Sequence, residues 1–183
     1  MDEFEEQQVT VMAVLEPHFA ILTDIYHSAV NLYNDGTSGR VRADHDSRAA
    51  LNSIYALAWK GYEREFGDTP GLHLLNMRGL NVLNIADKVV ARAKRVDANG
   101  RHVNNPTEQQ KRFDRQLPLE GLPPEAVRIV IGYELDPAYS TVERVIVRHT
   151  KGDWLSQIVV VDDVYHWENI TPVRLPLQGG RRA

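Results

Sequence analysis

Two hydrophobic periods divide this chain of 183 residues. From Met12 the apolar side chains Met12, Leu15, Phe19, Leu22, Tyr26, Ala29 and Tyr33 recur at alternating steps of three and four, the spacing that holds one face of a helix against a partner. Beyond Thr69-Pro70-Gly71 the β-branched residues gather in short runs between turn signals, and the period falls to two. A helix aligns every third and fourth side chain and a strand every second, so the two stretches cannot share one kind of backbone. The expected fold class is α+β: an N-terminal antiparallel helical hairpin packed on or beside a mostly antiparallel sheet made of a hairpin, a helix and a three-stranded meander.

The first helix carries Pro17, which removes a backbone donor and costs roughly 3 kcal/mol inside a helix, so a kink or a fresh start is expected there. Asn34-Asp35-Gly36 ends it. A second helix is expected from Asp44 or Asp46, whose side chains can cap free amides, through Leu51, Tyr55, Ala58, Tyr62 and Phe66 to Gly67. The short connection folds the two back on each other.

In the second part, residues 82 to 85 and 88 to 96 flank Ala86-Asp87 and read as a tight hairpin. Asn105-Pro106-Thr107-Glu108 is expected to open a helix reaching about Gln116, with Asn105 as its cap. Strands at 126 to 135, 141 to 149 and 154 to 161 form the meander. The first alternates Val127, Ile129, Ile131, Tyr133 and Leu135 with Arg128, Val130, Gly132 and Glu134. The expected organisation is a helical region at 1 to 68, an α+β region at 69 to 172 and a flexible tail at 173 to 183, within one compact domain.

With 43% hydrophobic residues the chain has enough apolar mass for a core, and with no cysteine it has neither disulfides nor thiolate chemistry. The acidic start Met-Asp-Glu-Phe-Glu-Glu is unlike a basic targeting peptide, and a reading of the sequence places the protein in the cytoplasm without a membrane partner. Gly-rich phosphate loops, Gly-x-Ser-x-Gly, His-Glu-x-x-His and calcium loops are all missing. No two of the seven histidines are three or four residues apart. No catalytic residue, metal ligand set or cofactor is therefore assigned; Asp44-His45-Asp46 and Asp162-Asp163 with His166 read as cap and strand-end decoration.

Charge is unevenly spread. Residues 1 to 36 hold seven acids and no Lys or Arg, whereas residues 78 to 115 hold nine bases against four acids, a local surplus of five. Within that stretch Arg78, Lys88, Arg92, Lys94, Arg101 and Lys111 are the candidate nucleic-acid contacts, through phosphate rather than stacking, because Phe113 is its one aromatic residue. Asp87 followed by Arg92-Ala93-Lys94 has the layout of a metal-dependent nuclease of the restriction-enzyme type, with Arg where the second acid belongs. A guanidinium cannot hold magnesium, so the layout implies at most a degenerate, phosphate-gripping core.

Gly79-Leu80-Asn81-Val82-Leu83, Val90-x-Arg92-x-Lys94, Asn105-Pro106-Thr107-x-Gln109-Gln110, Leu117-Pro118-Leu119-Glu120-Gly121-Leu122-Pro123 and Gly132-Tyr133-x-Leu135-Asp136 together resemble a family of bacterial and prophage proteins over residues 72 to 160. That resemblance implies a neighbourhood of helix-turn-helix repressors and metallopeptidase-like proteins, as in toxin-antitoxin or lysogeny modules, and implies no catalytic residues.

Two functions follow as expectations. The first is a non-enzymatic protein-binding or regulatory module of a mobile element, with Met12, Leu15, Phe19, Leu22 and Tyr26 offering an apolar seam to a protein partner or to a second copy. The second is a nucleic-acid-binding protein or degenerate nuclease-like domain acting through residues 78 to 115.

Overall fold

The computed structural model describes residues 2–101 and 107–170. Helix α1 (Glu3–Leu15) starts at a capping box: the Asp2 carboxylate accepts from Glu5 N, and the Glu5 carboxylate accepts from Asp2 N. Pro17 lies in the first turn of a short 3-10 segment, Glu16–His18, that links α1 to α2 (Phe19–Gly36). There its missing donor costs little. A single-turn helix, α3 (Gly39–Asp44), leads to α4 (Ser47–Phe66), capped by Asp46 through Ala49 N.

α2 and α4 run antiparallel, as their contacts show. His18 meets Phe66 edge-on, the Tyr26 and Tyr62 hydroxyls share a hydrogen bond of 2.7 Å, and Tyr33 reaches His45 at 2.9 Å. By length and composition alone the stretch Glu3–Gly36 is apolar enough to cross a membrane. One face of it, from Val11 to Tyr33, is buried in the core while Phe4, Val9 and Leu32 are exposed, and core helices pass the same test.

Seven strands form one sheet in chain order: β1 (Leu72–Met77), β2 (Leu80–Ile85), β3 (Val89–Arg95), β4 (Val127–Leu135), β5 (Val142–His149), β6 (Leu155–Val161) and β7 (Val164–Asn169). All neighbours pair antiparallel except β3 and β4, which are parallel and joined by the crossover containing α5 (Glu108–Asp114). A parallel pair needs such a crossover, so this junction places α5 on one face of the sheet.

The sheet is therefore a single seven-stranded, mostly antiparallel one, larger than the hairpin and three-stranded meander expected, with β1 and β7 at its edges. β1 escapes the period rule because Leu-His-Leu-Leu-Asn-Met has no β-branched residue. The tight turns on either side were also legible only in part. Arg78-Gly79, Ala86-Asp87 and Asp162-Asp163 all have both residues at positive φ, the mirror-image turn geometry that matches strand twist. Asp162-Asp163 is thus the β6–β7 turn rather than the end of the last strand. Thr107, not Asn105, caps α5, accepting from Gln110 N while the Gln110 side chain accepts from Thr107 N. Asn105 and the tail at 173 to 183 lie outside the described residues.

Alternation splits the sheet into two faces. Leu83, Ile85, Val89, Ala91, Ala93, Ile129, Ile131, Tyr133, Val145 and Val147 face α2 and α4 and form with them the main core. Helical region and sheet share that core. Met12, Leu15, Phe19, Leu22 and Tyr26 are all 0% exposed within it, and Tyr26 donates its hydroxyl proton to the carbonyl of Ile131 at 2.8 Å. The seam expected to meet a partner is thus covered by this chain's own sheet, because period-three-and-four patterning reports burial and does not say against what.

Candidate functional site

The second face of the sheet is where the charge lies. Two small apolar clusters cover it. Leu80, Val82, Val90, Phe113, Leu119, Leu122 and Ala126 pack beneath α5 and the loop after it, and Val96, Val130, Ile146 and Leu155 pack over β4 to β6. The second cluster depends on close approach: a side chain on Gly132 would meet Val96 Cγ2 at 2.6 Å, and one on Gly100 would meet Leu155 Cδ1 at 2.6 Å.

Where the two clusters meet, the pairing sets three cations on adjacent strands. Arg92 on β3 lies opposite Val130 on β4, and Val130 lies opposite Arg148 on β5. Lys94 is one row further along β3, opposite Gly132, on the same face. Arg128, one row the other way, lies opposite Val90.

Burial distinguishes these side chains. Arg92 is 1% exposed and Arg128 2%, and both guanidinium carbons lie over the Phe113 ring, at 5.4 and 5.8 Å from its centroid. Arg128 Nη1 donates to the Leu117 carbonyl, while its Nε is buried with no acceptor among the described residues. Lys94 and Arg148 are half-buried.

The acid facing them comes from α5. Arg92 Nη1 donates to Asp114 Oδ1 at 3.3 Å, and the Asp114 charge also acts on Lys94 and on Arg148. Arg92 is thus in contact with this carboxylate, while Lys94 and Arg148, on the same sheet face, feel its charge. Asp97 and Arg101 stand beside Arg148 with opposite signs, and Asp97 Oδ1 accepts the Arg101 amide at 2.8 Å. Burial, and then the neighbouring Arg92, push the Lys94 amine down to about 8. Burial also lowers Arg92, Arg128 and Arg148 from the ordinary guanidinium range.

Next to this cluster is a polar tie between α5 and the end of β5. The Gln116 amide donates to the Arg128 carbonyl and to Thr150 Oγ1, both at 2.7 Å, and its oxygen accepts the Arg128 amide. His149 is buried, hydrogen-bonded through Nδ1 to Asp153 at 2.7 Å and stacked on Trp154. Burial lowers its pKa, against the pull of Asp153. This tie fixes the height of α5 above the sheet.

Of the six candidate nucleic-acid residues, the structure brings Arg92 and Lys94 together, with Arg101 nearby through Arg148. Arg78 is exposed in the β1–β2 turn, Lys88 in the β2–β3 turn at the opposite end of β2, and Lys111 on the outer side of α5 beside Glu108. Asp87 shares the turn with Lys88, where its carboxylate accepts from Asn84 Nδ2 at 2.7 Å. Seven positions of extended chain, roughly 20 Å, separate Asp87 from Lys94, so the acid of the nuclease-like layout is not beside the lysine. Arg148 and Asp114 were missed by sequence reasoning; the alternation of β5 gave a signal for Arg148, but only the register shows that it shares a row with Arg92. Among the described residues no group of three or more His, Asp or Glu side chains is placed to hold a metal ion. No family model matches this sequence, and neither a curated protein nor a solved structure matches it significantly.

Proposed function

We propose that this protein is a non-enzymatic binding module whose α5 face takes an anionic ligand, with nucleic acid as the ligand class. The observation that carries this reading is the gathering of Arg92, Lys94 and Arg148 on one face of three adjacent strands, where Asp114 contacts Arg92. Like charges gathered in a half-buried site repel one another and lose hydration, a cost that the fold alone does not require and that a bound anion offsets. The helical layer across the sheet supports the same orientation, since residues 1 to 36 are acidic without a single Lys or Arg. An anion is thereby turned away from one side and drawn to the other.

The test is fluorescence anisotropy of labelled duplex and single-stranded DNA and RNA across salt concentrations. Binding weakens steeply as salt rises, and Arg148→Ala and Arg101→Ala weaken it about uniformly across sequences. Absence of binding at low salt for every probe would end the reading.

A second reading, a regulatory protein partner, is favoured by the β6–β7 hairpin, whose tip holds Val160, Val161 and Val164 each more than half exposed on an edge of the sheet. The likeness of residues 72 to 160 to prophage proteins supports a mobile-element setting for either reading. Pull-down with the Val161→Lys and Val164→Lys variants as controls separates a partner held at this hairpin from one held elsewhere.

A further inference from the structure

We infer that the site formed by Arg92, Lys94, Arg148 and Asp114 takes a terminal phosphate of a nucleic-acid strand, a phosphomonoester, in preference to the diesters of the backbone. The inference rests on the anionic-ligand reading and narrows it.

Charge is the first argument. Arg92, Lys94 and Arg148 share one sheet face with Asp114 against Arg92, and Asp97 and Arg101 beside Arg148 cancel each other, so the positive charges outnumber the negative by two. A phosphomonoester carries about −1.5 to −2 at neutral pH. A backbone diester carries one charge, and would leave part of the surplus facing a half-dry site.

Access is the second. Arg92 is 1% exposed, against the Phe113 ring, and Lys94 and Arg148 on the same face are half-buried. Side chains that grip a continuous backbone stand out from the surface, because each diester is flanked by two sugars that keep it from entering a recess. A terminal phosphate projects from the strand with three free oxygens and can reach donors set below the surface. The exposed Arg101, beside Arg148, then remains for the diesters that follow.

The positions of these donors are set by the fold and need no ligand to form. Pairing of β3 with β4 and β4 with β5 fixes Arg92 and Arg148 on either side of Val130, and the Gln116 tie holds α5, with Asp114 at its end, above them.

The experiment compares three versions of one internally labelled single strand, with a phosphate at the 5′ end, at the 3′ end, or at neither, by anisotropy at constant salt. At least one phosphorylated form binds about tenfold more tightly than the unphosphorylated strand, the gain of a charge-assisted contact. Lys94→Met removes that difference, while Lys88→Ala, in the turn at the far end of β3, keeps it. Equal affinity for all three strands overturns the end preference and leaves the nucleic-acid reading standing. No binding of any strand at low salt overturns both. If a nucleoside monophosphate or inorganic phosphate binds as tightly as the phosphorylated strand, the ligand is a free phosphate compound and the assignment to a strand end is overturned. Loss of the difference in Lys88→Ala would put the phosphate somewhere other than this cluster.

Discussion

Arg92 and Asp114 meet at 3.3 Å across the space between the interior strand β3 and the end of α5, the arginine side chain almost wholly buried and the aspartate about one-quarter exposed. The pair is a buried salt bridge set among further cations. Its attraction does not by itself repay the dehydration of Arg92, but removing one partner strands the other. Asp114→Asn therefore destabilises the protein by about 3 kcal/mol in urea denaturation. Inorganic phosphate in millimolar amounts restores part of that loss by supplying the missing anion, and sodium chloride at equal ionic strength does not.

Lys94 gives a pH test. Its pKa falls from 10.5 in the unfolded chain to about 8 in the fold, so between those values the unfolded state binds the extra proton. Stability contributed at this position therefore rises with pH from about 8 to about 10.5, and the full penalty is present below 8. Lys94→Met raises the thermal midpoint at pH 7, and its advantage over the parent shrinks above pH 8. A lysine with a purely structural role would give the opposite sign at pH 7. A variant that is more stable and has lost the preference for a terminal phosphate is what a functional cation leaves behind.

Gly132 is the floor of the second small cluster. Gly132→Ala places a methyl 2.6 Å from Val96 Cγ2 and 2.7 Å from Val96 Cγ1, and overpacking of this kind costs about 1 to 3 kcal/mol. Val96→Ala in the same chain removes both clashing atoms. Denaturation of the two single variants and the double variant gives a double variant more stable than additivity allows.

Ala86 is held at φ 52 in the β2–β3 turn without a polar side chain to support that conformation. Ala86→Asn stabilises the protein by about 0.5 to 1 kcal/mol, read from the urea midpoint at unchanged slope. A loss of stability would mean that the turn is not of the mirror-image type.

The α+β class, with helices first and a mostly antiparallel sheet after them, was legible because the step at Thr69-Pro70-Gly71 changes the period itself. The edges were not. β1 lacks β-branched residues, and β7, Val-Tyr-His-Trp-Glu-Asn, follows a turn made by two aspartates that read more readily as surface decoration. Nor does periodicity choose a partner: the same spacing that located Met12 to Tyr26 on one helical face suited an external surface and the chain's own sheet equally well. In the cluster, Arg92 and Lys94 were legible as one strand face, being two residues apart. Arg148 and Asp114 join them only through pairing register and a crossover, relations between residues more than fifty positions or a helix apart that no local pattern carries.

The central claim is that an anion sits among Arg92, Lys94 and Arg148. The most direct measurement is NMR of the Lys94 side chain, labelled with carbon-13 at Cε, titrated with pH in the presence and absence of the 5′-phosphorylated strand. The lysine is expected to titrate near pH 8 alone and at a clearly higher pH with the strand bound. A Lys94 titration that is the same with and without the strand, under conditions where the strand is bound, would contradict it.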